Sequence, residues 1–498
     1  MKRMSKWLAL PLVLLLVILS GCQAVGGLDV NKALQKNLAV KSSESRQKVT
    51  IEAIPADNVS AEDKKIIDLI NSISVTVDHA KVKDASTMSL KGSVGFSGEK
   101  LPYHLSIDAK GITIQVEGAK QPVYISLEDA SSEYLDLESY NKQAQELGLQ
   151  ATGFLLKHMP NPSSISVKKV QEKINEESLS LTQLHAEIRG DELVKMIKPF
   201  LTNVSKDEAG LKELIGGYYD AIYPILNAQF GTDAFEDESA PSKELAVSAM
   251  YGIVQETLNE LLKEYDQQAA ALFEEMPELN TLLGKDTVLK ADLYFDSDLN
   301  MVKQNVELAV AIPQGEGVPV KAFKVRSESE MWNVGGNIAL DHVDVSAGKL
   351  SVADEEITPG QLLRNFEPGS IIYKLLKDEM QITSKYILIG YPGDYYEVIQ
   401  KNGTSFVPLR YLTAELDAEI KWNKATKSIT IIDDITQAEI VLTVDSKQAK
   451  VAGEAAALSE PAFIHTDGKT YVPLRFIAEA LGAKVQVDGD GWITITRD

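Results

Sequence analysis

Apolar positions along this chain follow two periods, and the change from one to the other marks its parts. A helical pattern runs from Val30 to about Val40, and period two then takes over. Ile73, Val75 and Val77 alternate with polar residues. So do Tyr103, Leu105 and Ile107, then Ile112, Ile114 and Val116, with Val123 and Ile125 close behind. Glycine-containing or charged breaks at 97–100, 109–111 and 118–121 separate these runs, which predicts a β-meander with one buried face. Another alternating run, Leu179, Leu181, Leu184, Ala186 and Ile188, feeds a helix at Gly190. There Leu193, Met196, Ile197 and Phe200 share one face at i, i+3, i+4 and i+7. The helical pattern continues to about Leu283, broken by an acidic stretch over 232–242 that reads as an exposed loop.

Strand character returns over 288–295, 302–312, 322–325 and 339–345, and short helices are expected over 359–365 and 369–379. Sheet, helices and sheet in that order predict an α+β chain: a curved antiparallel sheet with a helical insertion over 190–284 and helices on its concave side. This element order, over residues 29 to 380, resembles the open-barrel lipoproteins of the LolA/LppX type. That resemblance implies an apolar ligand such as a lipid between sheet and helices; fold analogy alone does not establish it.

The first residues carry an address. Lys2, Arg3 and Lys6 precede an apolar run from Trp7 to Ile18, shorter than the roughly 20 residues a membrane span needs, so the pattern is secretory. Leu19-Ser20-Gly21-Cys22 follows, and Cys22 is the only cysteine of the chain. The segment resembles bacterial lipoprotein signals. The resemblance implies removal of residues 1–21, a diacylglycerol thioether and a palmitate-type acyl chain on Cys22, and a protein held on the extracytoplasmic face of the cell membrane. Two acyl chains anchor stably where one does not.

Charge agrees with that location. Loss of residues 1–21 leaves 47 Lys and Arg against 72 Asp and Glu, a formal charge of −25, which repels nucleic acid. With no second cysteine there is no internal disulfide and no cysteine-based zinc site. The 477 residues from Cys22 onward suffice for about three domains.

The last 115 residues contain an internal repeat. Ser405-Phe406-Val407-Pro408-Leu409-Arg410-Tyr411-Leu412 returns 65 positions later as Thr470-Tyr471-Val472-Pro473-Leu474-Arg475-Phe476-Ile477. In each copy a short strand should end at the proline, whose fixed φ and missing N–H suit entry to a helix. Leu409, Leu412 and Leu416, matched by Leu474, Ile477 and Leu481, should line one helical face. Gly482 stands where a left-handed cap is needed, and Asp417 replaces it in the first copy, at a mild conformational cost. A hairpin closes each copy, so the repeats run over 405–432 and 470–496.

The repeat resembles the copper amine oxidase N-terminal domain family, nearly throughout in Val472–Val485 and with departures at Tyr411, Thr413 and Asp417. The resemblance implies a small sheet wrapped on a helix that serves as a non-catalytic stalk. It implies no oxidase: the chain has no Asn-Tyr pair to give a quinone, and its six histidines show no H-x-H or i, i+4 spacing. Arg410 and Arg475, in the first helical turn, are expected to tie helix to sheet through a carboxylate or carbonyl. Asp296, Asp298 and Asn300 have calcium-loop spacing, but Met301 stands where glycine is required, so a hairpin turn is expected.

Two S-x-x-K matches lack the companion motifs of a serine enzyme, and no glycine-rich phosphate loop is found. No catalytic residue, cofactor or metal site is therefore expected. The expected organisation is a signal peptide over 1–21, then lipidated Cys22, tether and first helix over 22–45. An antiparallel-sheet ectodomain over 46–380 and the stalk-type module over 383–498 follow. The expected role is a non-catalytic surface lipoprotein whose module mediates envelope contacts or spacing. Its partners would be the membrane and a cell-wall polymer or envelope protein; the alternative is a carrier of an apolar ligand.

Overall fold

The computed structural model describes residues 25–127, 137–230, 242–315, 317–352, 357–389, 398–489 and 491–497. In chain order they form α1 (Val30–Leu38), β1 (Ser43–Pro55), α2 (Ala61–Ser72), β2 (Ser74–Asp84), β3 (Thr87–Phe96), β4 (Glu99–Ile107), β5 (Gly111–Val116) and β6 (Val123–Ser126). Next come α3 (Leu137–His158), β7 (Ser164–Ile174), β8 (Glu177–Arg189), α4 (Gly190–Lys206), α5 (Glu208–Phe230), α6 (Lys243–Glu275) and α7 (Leu279–Leu282). Strands β9 (Val288–Phe295), β10 (Met301–Ala311), β11 (Val320–Trp332) and β12 (Leu350–Ser351) follow. The fold class is α+β. No helix among the described residues is long and apolar enough to cross a membrane.

Two compact units result. The described residues up to Ile114 with Ser126–Val343 form one, and Gln115–Ile125 with Asp344–Asp498 form the other. Residues 344–380, grouped by sequence with the sheet, thus cluster with the C-terminal unit. Contacts explain this: Lys120 N donates to Asn365 O at 2.7 Å, and Asn365 Nδ2 to Gln121 O at 2.8 Å.

In the first unit the strand order is β5-β4-β3-β2-β1-β11-β10-β9-β8-β7, and the pairs from β4 to β7 are antiparallel. The two sets of strands join because β1 lies between β2 and β11. One face of this sheet is apolar and carries the helices. Leu28, Val30 and Ala33 of the α1 region pack on Leu184, Leu293 and Phe295; Leu193 and Met196 of α4 pack on Ile188; Ile67 of α2 packs on Ala53 and Val320. Full burial of such a side chain contributes about 1.5–3 kcal/mol. The helical insertion leaves and returns at one point, because Arg189 faces Val288 in the β8–β9 register and Gly190 N donates to Thr287 O at 2.8 Å.

At the β7 end the sheet bends away from the helices. The Glu172 carboxylate of β7 reaches Lys303 of β10 at 2.7 Å, and Asn175 N donates to Glu330 of β11 at 3.2 Å. Ile174, Leu181, Tyr294 and Val302 form a small core inside this bend. The helices therefore lie outside the curve here, contrary to expectation, because period two states which residues share a face but not which way a sheet bends.

The strand expected over 339–345 does not form. Residues 337–345 join no strand ladder: Ile338 and Val343 are buried, and Asp341 N donates to the Ser89 hydroxyl at 3.1 Å. Their alternation reflects one-sided packing. The acidic stretch of the helical region lies, apart from Ser242, outside the described residues.

The second unit continues with α8 (Pro359–Arg364) and α9 (Ile371–Lys374), which runs into a π-helical turn. It then forms β13 (Lys385–Ile389), β14 (Ile399–Lys401), β15 (Thr404–Pro408), α10 (Leu409–Glu415), β16 (Ala418–Asn423), β17 (Ser428–Asp433), β18 (Glu439–Thr443), β19 (Gln448–Val451) and β20 (Glu454–Ala457). The chain closes with β21 (Phe463–Ile464), β22 (Thr470–Pro473), α11 (Leu474–Ala480), β23 (Lys484–Val487) and β24 (Ile493–Arg497). Three small sheets, β13-β24-β23, β14-β15-β22-β21 and β16-β17-β18-β19-β20, enclose one buried cluster that includes Leu412, Leu416, Ile431, Ile477, Leu481 and Ile495. Both copies of the repeat share this core.

Candidate functional site

The face of the large sheet opposite the helices is built from charge. Across the strands, Asp292, Asn305, Glu328, Lys48 and Thr76 form one transverse row and Tyr294, Lys303, Glu330 and Arg46 the next; Lys290, Glu307, Arg326 and Thr50 form a third. Neighbouring strands are roughly 4.8 Å apart, so side chains in a row can pair. Arg46 meets Glu330 at 2.7 Å, and Arg326 joins Glu307 at 2.7 Å and Glu52 at 2.8 Å. The Arg326 hydrogen bond holds the Glu307 carboxyl below the usual carboxylate range. Burial works against the Lys303 ammonium, yet the Glu172 carboxylate outweighs it and raises its pKa above the ordinary lysine value.

The first two rows floor an open cleft of about 420 Å³, lined by Arg46, Lys48, Thr76, Asp78, Asn305 and Glu328 among others, and the third row lies outside it. On one side stands the bent β7–β8 tip, held by the Glu172–Lys303 pair. Toward the β2–β4 side, the segment after β11 is fixed to the same face. Asn333 Nδ2 donates to Glu44 at 2.9 Å, and Asp341 pairs with Lys81 at 3.1 Å and Lys91 at 3.3 Å. The Asn333 hydrogen bond, with His79, keeps Glu44 ionised to lower pH, and the Lys81 hydrogen bond does the same for Asp341. Lys48, Asp78 and Glu328 are exposed and make no ion pair among the described residues. The sequence signal for this face was the charge alternation of β1, where Glu44, Arg46, Lys48 and Glu52 interleave with Val49, Ile51 and Ala53.

The repeat residues come together in the second unit. Val407 lies directly opposite Val472 in the β15–β22 ladder, with Phe406 opposite Pro473 and Pro408 opposite Tyr471. Equivalent residues of the two copies thus face each other across a local twofold. Pro408 and Pro473 end their strands at φ −60° and the helices α10 and α11 start at once, burying Leu409, Leu412, Leu474 and Ile477. Arg475 donates to Val485 O at 2.9 Å and to Glu479 at 3.3 Å, while Arg410 is exposed. Gly482 and Asp417 both occupy the left-handed region, at φ 78° and 51°.

Asp417 does more than glycine could. Its carboxylate takes the Lys385 ammonium at 2.9 Å, and both groups are largely shielded from water. Beside it, buried Arg497 donates to Leu416 O and to Asp433, each at 2.7 Å. Asp434 receives the Thr358 hydroxyl at 2.7 Å and its carbonyl accepts from Arg364 at 3.2 Å, which docks α8; burial pushes its pKa up. Cys22 lies outside the described residues.

Other sequence candidates stay apart. Asp296 caps its own turn, accepting from Asp298 N at 2.8 Å and Asn300 N at 2.9 Å, as a hairpin requires. Among the described residues no three His, Cys, Asp or Glu side chains are placed to hold a metal ion.

The copper amine oxidase N-terminal domain family model matches residues 394–496, the segment containing both repeats. The match concerns the N-terminal domain of those oxidases and not their catalytic domain, and it covers the C-terminal part of the chain alone. No curated protein matches the chain.

Proposed function

We propose that this protein is a non-catalytic lipoprotein of the extracytoplasmic membrane face, anchored through Cys22, whose stalk-type module mediates envelope contacts or spacing. The carrying observation is the match of residues 394–496 to a non-catalytic domain family. The shared core and the Val407–Val472 pairing join the two copies of the repeat around one continuous core, an arrangement suited to spacing. The Leu19–Cys22 segment supplies the membrane attachment. Metabolic labelling with palmitate tests the anchor: wild type takes up label and fractionates with membranes, and Cys22→Ser loses both. An unlabelled wild type found in the soluble fraction sinks this reading. Protease treatment of intact cells, expected to cleave the protein, tests the face.

The alternative is a carrier of an apolar ligand, and one observation favours it. On the helix-bearing face, Val49, Ile51, Val77, Leu90, Val94, Leu105 and Ile107 are only half-buried. Native mass spectrometry after incubation with lipid extract decides: a lipid-sized adduct supports the carrier, and a clean apo mass removes it.

A further inference from the structure

We propose that the cleft on the charged sheet face binds an extended glycan whose sugars carry amide and carboxylate groups, lying across β2, β1, β11 and β10. A volume of about 420 Å³ falls in the range of small-ligand sites. Its lining excludes the other classes. An apolar ligand finds Arg46, Lys48, Asp78, Lys303 and Glu330. A densely charged polyanion such as nucleic acid, with a negative charge on every unit, meets Asp78, Glu328 and Glu330 on a chain of net charge −22. A peptide that binds as an added strand needs a free sheet edge, and each of the four floor strands is already paired on both sides.

A glycan fits what remains. Arg46 and Lys303 are committed to Glu330 and Glu172, which leaves Lys48 to take a sugar carboxylate and Asp78 and Glu328 to accept from hydroxyl and amide N–H groups. Asn305 and Thr76 offer a donor and an acceptor in the same transverse row. The spacing of the strands, about 4.8 Å, is close to the advance of one pyranose ring along a β-linked chain, so successive rings meet successive strands. The envelope location proposed above says only where such a glycan is met; the binding itself does not depend on it.

Isothermal titration calorimetry on the full-length protein in detergent micelles tests this. The probes are lysozyme-released wall oligosaccharides of N-acetylglucosamine and N-acetylmuramic acid, and the neutral N-acetylglucosamine tetramer. Wild type should bind both. Lys48→Ala should weaken the carboxylated probe by about 10-fold and spare the neutral one. Asn305→Ala should weaken both, and Lys290→Ala, on the same face outside the cleft, neither. Thermal melts confirm that each variant folds. Absence of heat from wild type with either probe overturns the proposal, as does binding untouched by Lys48→Ala and Asn305→Ala. Equal or tighter binding of a Lys-Glu-Lys peptide with the same variant dependence assigns the cleft to peptides and also overturns it. A negative result with palmitate labelling of Cys22 intact removes the glycan and leaves the anchor standing.

Discussion

The Arg497 guanidinium lies 2.7 Å from the Asp433 carboxylate, and both side chains are almost fully buried. Arg497 ends β24, the strand that closes the second copy of the repeat, and Asp433 ends β17, the strand that closes the first, so this pair, with the Arg497–Leu416 carbonyl bond, ties the copies together. Truncation to Arg497→Ala leaves a buried carboxylate unpaired, which costs about 3–5 kcal/mol. Denaturant unfolding followed by circular dichroism should show the loss, and Asp433→Ala should be similarly costly.

Asp417→Gly isolates two effects at one position. Glycine relieves the φ of 51° but abandons Lys385. The loss of the pair should dominate, leaving the variant about 1–2 kcal/mol less stable by thermal melting. Asp417→Ala, which keeps the strain and loses the pair, should fall further. If glycine proves stabilising, the ion pair contributes nothing.

Asp434 should make the second unit less stable as pH rises. Its folded pKa stands above the ordinary 3.8 because burial disfavours the charged form. The folded state therefore binds the proton more tightly, and the resulting stability is fully present below pH 3.8 and is lost as pH rises through the raised value. Asp434→Asn should melt higher than wild type near neutral pH, with the gap closing in acid. A gap that widens in acid would contradict this sign.

Gly190 admits no side chain. A Cβ there would meet Leu283 C at 2.6 Å and Gly284 O at 2.7 Å, both backbone atoms that cannot swing aside. Gly190→Ala should destabilise the first unit by about 1–3 kcal/mol, read from the thermal midpoint, whereas Gly252→Ala, where a Cβ meets nothing, should not.

Legibility in the sequence followed burial. Strand β9 coincides with the expected 288–295, and the helices after Pro408 and Pro473 start where the prolines predict, because there apolar periodicity and local chemistry agree. Strands β1 and β7 went unread: Arg46, Lys48, Lys168 and Lys169 mask their apolar alternation, since the opposite sheet face is polar. Helix α2 escaped although Ser60 caps Asp63 N at 3.0 Å, a signal present in Ser60-Ala61-Glu62-Asp63. The cleft itself was illegible, because it needs residues from β1 and β10 brought together by a topology that spacing does not encode.

The return of the helical insertion to its starting point has a kinetic consequence. Strands β8 and β9 are neighbours, yet 98 residues separate Arg189 from Val288. Closing a loop of that length costs about 4 kcal/mol of chain entropy when it is unstructured, and much less once the helices have condensed and brought Gly190 beside Thr287. The helices thus act as a jig for the sheet: β9, β10 and β11 pair with one another through local hairpins, but β9 docks on β8 at low entropic cost only once α4 to α7 have condensed, and a chain emerging in sequence order holds β1 with one bare edge until β11 arrives.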